Sequence, residues 1–154
     1  AKRKLEDRFR RGKEVACGCD DNVGSYTGPR GYTRTLYKGT VRVGGKVRDV
    51  SRIVYQKNDI DWDYVDPLSG KTNRQLAASG RAPIGKDGRP IELHHVIGKE
   101  PGPLIEIERT DHNKYSKQLH GIITYSFRND PVLDRQFENF KRKYWKWRGR
   151  NLNK

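Results

Sequence analysis

The sequence predicts an α+β domain, β-rich toward its amino end and closed by one long basic helix. Three patterns carry that expectation. Val41-Arg42-Val43-Gly44-Gly45-Lys46-Val47 alternates around a Gly-Gly turn, which reads as a hairpin. Asp87-Gly88 tolerates the positive φ of a tight turn, and the alternating run Ile91 to Val96 follows it as a strand, paired with a short strand around Ala82 to Ile84. Leu133, Phe137, Phe140, Tyr144 and Trp147 recur at spacings of four, three, four and three after Pro131, which places them on one helical stripe.

The chain has 154 residues, enough for one domain. Only 32% of the residues are hydrophobic, 34% are charged, and the net charge is +14, so the core is modest and the surface favours polyanions. Lys and Arg neutralise phosphates and release condensed counterions, a sequence-independent affinity that weakens with salt. No stretch approaches the ~20 apolar residues of a membrane span, and no signal-peptide apolar core is present. The chain begins with Ala and contains no Met, which suggests a piece of a longer protein. Cys17 and Cys19 are too close together for a disulfide framework and have no second Cys pair for a zinc site, so they read as ordinary thiols.

In chain order, residues 1–65 read as a basic arm and a β-rich extension of the same domain, and residues 66–154 as its core with the carboxy-terminal helix. Lys2 to Lys13 is the arm, Asn22 to Gly31 a Gly-rich loop, and Ile53-Val54-Tyr55 a further strand. Asp59-Ile60-Asp61-Trp62-Asp63 resembles the opening of a calcium loop but lacks the Gly at 64 and the acid at 70; it reads better as an edge strand burying Ile60, Trp62 and Tyr64. Thr72 caps a short helix that Gly80 ends. Thr110 to His120 reads as another helix, with Thr110 as its N-cap and Gly121 past its end. From Lys141 onward there are seven Lys or Arg and no acid, so the exposed side of the last helix, with Lys141, Lys143 and Lys146, reads as a phosphate-binding ridge away from the Asp87 hairpin.

All four histidines fall between residues 94 and 120. His94 and His95 end the strand after the Asp87-Gly88 turn, and His112 lies in the first turn of the predicted helix. Successive strand residues point to opposite faces, so both imidazoles of the pair serve one site only if the strand bends or ends there, which Gly98, Pro101, Gly102 and Pro103 allow.

Glu92-Leu93-His94-His95, with Pro83-Ile84-Gly85 before it and Gly102-Pro103-Leu104, Asp111-His112 and Leu119-His120 after it, resembles the LHH nucleases of the HNH/endonuclease VII superfamily over roughly residues 66 to 148. The resemblance implies a ββα-metal core and hydrolysis of phosphodiester bonds in nucleic acid, DNA before RNA. It implies an interbacterial toxin effector, delivered into the cytoplasm of a target cell and neutralised by a cognate immunity protein. Carried over, His94 binds the metal, His95 is the general base and His112 the second ligand. Glu92 supports them, orienting through Arg89, which also meets substrate. His120 joins the metal set if the helix breaks near Ser116; along a continuous helix it would lie ~12 Å from His112 and serve phosphate or structure instead. No Asn lies between His95 and His112, so the HNH group that orients the base is left to a loop carbonyl. Imidazole ligands favour Zn²⁺, or Ni²⁺ or Co²⁺, with Mg²⁺ or Mn²⁺ able to support activity in solution. The alternative is a non-catalytic basic nucleic-acid-binding domain with a structural zinc.

Overall fold

The computed structural model describes residues 30–112 and 127–152. They form β1 (Tyr32–Tyr37), β2 (Thr40–Val43), β3 (Lys46–Asp49), β4 (Arg52–Lys57), α1 (Asn73–Ala78), β5 (Glu92–His95), β6 (Leu104–Ile107), a helical turn at 109–112, a 3-10 turn at Phe127–Asn129, and α2 (Pro131–Arg150). One sheet has the order β1-β4-β6-β5, with β4 and β6 parallel and the outer pairs antiparallel; β2 and β3 make a separate two-stranded ribbon. The fold is therefore α+β, and strands from both parts of the chain share the main sheet.

Local chemistry accounts for the elements. Gly44 and Gly45 supply the positive φ values, 59° and 82°, of the ribbon turn. Thr72 and Gln75 form a reciprocal capping box on α1. Asp130 caps α2 by accepting from the N–H groups of Val132 and Leu133, and Pro131 opens the helix. The apolar stripe of α2 lies on the sheet: Phe137, Phe140 and Tyr144 pack with Tyr37, Val54, Leu93 and Leu104 in one core. Tyr37 meets Phe140 and Trp147 edge-on, each at a centroid distance of 5.2 Å.

Two buried carboxylates cross-link this core. Glu106 accepts from Tyr144 Oη at 2.5 Å, Arg148 Nε at 2.9 Å and the Lys57 N–H at 2.7 Å. Glu100 accepts from Arg52 at 2.6 and 2.8 Å and from Gln136 Nε2 at 2.6 Å. The paired charges and engaged lone pairs offset the cost of burying the two carboxylates. Arg148, counted in sequence with the phosphate ridge, thus turns inward.

The structure corrects several expectations. Residues 59–64 form turns and no strand, and Tyr64 is 37% exposed; Asp61 instead accepts from the N–H groups of Asp63 and Tyr64, a local bonding that competes with a ladder. Ala82 to Ile84 makes a single bridge, Ile84 to Pro90, because Pro83 and Pro90 have no N–H to give; β5 finds its ladder with β6. β1, which no earlier pattern singled out, pairs along its whole length with β4. The basic arm, Cys17, Cys19 and His120 lie outside the described residues.

Candidate functional site

Strand β5 sorts the motif by its pleat. Glu92 and His94 face one side of the sheet, and Leu93 and His95 the other, where both are buried. β5, β6 and the turn at 109–112 give the ββα order. The helical turn is pinned to the Asp87 hairpin: the Asp87 N–H donates to Glu108 Oε1 at 2.9 Å, and the Thr110 N–H donates to Asp87 Oδ2 at 3.1 Å. Thr110 therefore sits inside the first turn, capped by another segment, where sequence makes it the cap. The approach is close at Gly85, where a Cβ would meet the side-chain ends Glu108 Oε1 and Ile91 Cδ1 at 2.9 Å and oblige them to shift.

This clip brings His112 over β5. His94 Nδ1 and His112 Nε2 lie 3.0 Å apart, and His112 Nδ1 meets Glu92 Oε1 in a very short contact. Glu92 holds the Nδ1 proton of His112 and so leaves a lone pair on Nε2, facing His94. Burial, then the proximity of His112 and His95, push the His94 imidazole down to about 4, so it is neutral at pH 7. Two imidazole nitrogens bound tetrahedrally to one zinc would be separated by roughly 3.3 Å for Zn–N bonds near 2.05 Å. The pair is close to that spacing, and a carboxylate behind a ligating histidine is the usual support of such a site. Among the described residues, no group of three or more His, Cys, Asp or Glu could hold an ion, so His94 and His112 are a partial donor set.

His95 is placed elsewhere than the general-base role requires. Its ring lies 4.4 Å from both Phe127 and Phe137, and its Nε2 is 2.8 Å from Glu100 Oε1. Burial pushes its pKa down, against the pull of Glu100. Glu100, raised by burial but pulled further the other way by hydrogen bonds from His95 and Arg52, settles at about 2. A neutral His95 donating from Nε2 to this carboxylate satisfies both groups. The strand stays regular through His95, so the bend that would bring both imidazoles to one site does not form.

The site opens into a cleft of ≈ 390 Å³ lined by Glu92, His112, Arg128 and Lys141, with Phe137 and Trp145 on the α2 side. Lys141, expected away from the hairpin, is thus at the site. Lys143 and Lys146 are exposed outside the cleft, and Lys143 Nζ donates to Thr40 O at 2.8 Å. The cation beside Glu92 is Arg109, at 3.8 Å; Arg89 is exposed, and its N–H bonds to Asp87. Arg128, Glu100 and Gln136 carried no signal in sequence, because their neighbours come from distant segments.

A family model described as a nuclease of the HNH/ENDO VII superfamily with conserved LHH matches residues 72–151, a span that contains Leu93-His94-His95 and the helix α2. No solved structure matches the chain.

Proposed function

Because the chain belongs to the LHH nucleases of the HNH/ENDO VII superfamily, we propose that it is a metal-dependent endonuclease whose centre is Glu92, His94 and His112. One observation carries the reading: the nitrogens of His94 and His112 converge at 3.0 Å, backed by Glu92, at the edge of a cleft that also holds Arg128 and Lys141. His94 Nδ1 and His112 Nε2 would hold a divalent cation, with Zn²⁺ suited to the imidazoles. When bound, it supplies charge to the phosphoryl oxygens and acidifies a water.

The chain's own groups do the rest. Glu92 keeps His112 in the tautomer that presents Nε2. Arg128 and Lys141 draw the phosphodiester into the cleft and offset its charge as the pentacovalent state forms. Accepting the proton of the attacking water falls to the cleft-lining carboxylate of Glu92, since His112 keeps its Nδ1 proton toward Glu92 and gives Nε2 to the cation. His95 positions β5 from the core side. Its bond to Glu100 and its place against Phe127 and Phe137 fix the strand so that His94 meets His112.

The basic surface and the family suit a toxin effector acting on DNA in the cytoplasm of a target cell, with an acidic immunity protein as partner. No helix of the described residues is long and apolar enough to cross a membrane. Incubating the purified protein with plasmid DNA and total RNA across Zn²⁺, Ni²⁺, Mg²⁺ and Mn²⁺ tests the reading. Cleavage that chelation abolishes is expected; cleavage unchanged in excess EDTA, or none with any metal, refutes it.

A further inference from the structure

The β2-β3 ribbon lies outside the residues matched by the nuclease family and outside the main sheet, yet it is built firmly onto α2. Asn139 Nδ2 donates to Arg42 O at 2.9 Å, Lys143 Nζ to Thr40 O at 2.8 Å, and Arg48 Nε to Gln136 Oε1 at 2.5 Å. Val41, on the inner face, is 2% exposed. Gln136 passes the connection on to Glu100, and Glu100 to His95, so an unbroken chain of hydrogen bonds runs from the ribbon to the strand that carries His94. The ribbon is held in register with the site.

Its other face and its tip are open. The register sets Arg42 opposite Val47 and Thr40 opposite Asp49 on the outer face, with Lys46 at the Gly44-Gly45 turn; all five side chains are exposed, Val47 to 60%. At 100° per residue, α2 turns Phe137, Lys141 and Trp145 to the cleft and Gln136, Asn139 and Lys143 to the ribbon, with exposed Arg142 and Lys146 between them. Cations therefore stand at the cleft, where Arg128 and Lys141 both also pair with Glu138, on the exposed face of α2 at Arg142 and Lys146, and on the ribbon at Arg42 and Lys46.

We propose that this ribbon is a second nucleic-acid contact, seated in the major groove of B-form duplex DNA and holding the duplex across the cleft; the proposal rests on the nuclease reading and adds its substrate class. A two-stranded ribbon fits the major groove, about 12 Å wide. The deep, narrow major groove of A-form RNA excludes it. The ribbon residues, Thr40 to Asp49, include no aromatic on which an unstacked base could lie, which is how single strands are usually gripped. Val47 beside Arg42 gives the exposed apolar residue a use, since groove edges present thymine methyls next to hydrogen-bond acceptors.

The test is the double variant Arg42→Gln/Lys46→Gln, beside the charge-keeping Arg42→Lys/Lys46→Arg. Fluorescence anisotropy in EDTA, across a salt series, reads binding to a short duplex DNA, its single strand and the matching duplex RNA. The Gln variant should lose about tenfold in affinity for duplex DNA, with a salt slope shallower by up to ~1.8 for two lost contacts. Single strand and duplex RNA should change by less than about twofold, and the charge-keeping variant should keep the slope. Equal losses on all three nucleic acids, or no loss on any, overturn the proposal. With metal, both variants should hydrolyse bis(p-nitrophenyl) phosphate at the wild-type rate, and a slower rate would put the ribbon in the chemistry and also overturn it. A wild type without hydrolysis would refute the nuclease reading alone, because binding is read without metal.

Discussion

Replacing His95 with Ala separates a base at the metal site from a residue that anchors the strand. The substitution empties the space beside Phe127 and Phe137, both with ring centres 4.4 Å from the imidazole, and deletes the 2.8 Å bond to Glu100. Truncating a buried ring to Ala costs about 3–5 kcal/mol, and losing a hydrogen bond to a charged group about 1.5–3. The two overlap, and Glu100 keeps Arg52 and Gln136, so no buried charge is left alone. The balance is about 3 kcal/mol, or roughly a 10 °C fall in melting temperature for a chain of this size. His95→Gln keeps an N–H for Glu100 and should lose about half as much. Urea and thermal unfolding read stability, and cleavage is measured well below the lowered midpoint. Loss of stability in both variants, with His95→Gln still cleaving within about tenfold of wild type, is expected. Wild-type stability in both, with cleavage down by ~10²-fold or more, would restore His95 as the base and refute this account.

Three further outcomes follow from the buried charges and the ridge. His94 is shifted from 6.5 to about 4, so the metal-free native state takes up its proton later than the unfolded chain. Stability should thus fall as pH drops from 6.5 to 4, by about 3 kcal/mol at 1.36 per unit, and fall again from 4.5 toward 2 as Glu100 loses its ionised form; urea midpoints that stay level from pH 7 to pH 4 contradict this. Arg148→Ala should cost about 3–5 kcal/mol in unfolding experiments, because it strips a buried partner from Glu106, and a loss under about 1 kcal/mol would make the pair superficial. Lys143→Gln with Lys146→Gln should weaken binding alike for all sequences and leave cleavage at saturating substrate intact, whereas Lys141→Gln, inside the cleft, should also slow the saturated rate; identical kinetics for both would remove Lys141 from the site.

Much of this fold was legible because its signals are local. The Gly44-Gly45 turn, the Thr72 cap and the Phe137, Phe140, Tyr144 stripe each depend on residues within a few positions, and each stands where the pattern put it. What sequence could not rank were competing partners. Ile91 to Val96 reads in sequence as the partner of Ala82 to Ile84 across the Asp87-Gly88 turn, and the prolines at 83 and 90 limit that pairing to one bridge and leave β6 as the partner. The same holds at the site. Alternation along β5 already separates Glu92 and His94 from His95, and the structure keeps to that alternation. The reason His95 can be buried, a carboxylate at Glu100 stabilised by Arg52 and by Gln136 from α2, is a contact among four segments that no spacing reveals. Arg148 misleads in the same way: in the chain it is one more basic residue of a ridge, and in the fold it neutralises Glu106.

Calorimetric titration of a divalent metal, Zn²⁺ first, into the wild type, His94→Ala, His112→Ala and Glu92→Gln tests whether His94 and His112, backed by Glu92, hold the cation. The wild type should bind at one site, either histidine variant should show no measurable binding, and Glu92→Gln, whose amide holds His112 less firmly, should bind about 10- to 100-fold more weakly. Equal affinity in all four proteins, or none in the wild type, would contradict that assignment.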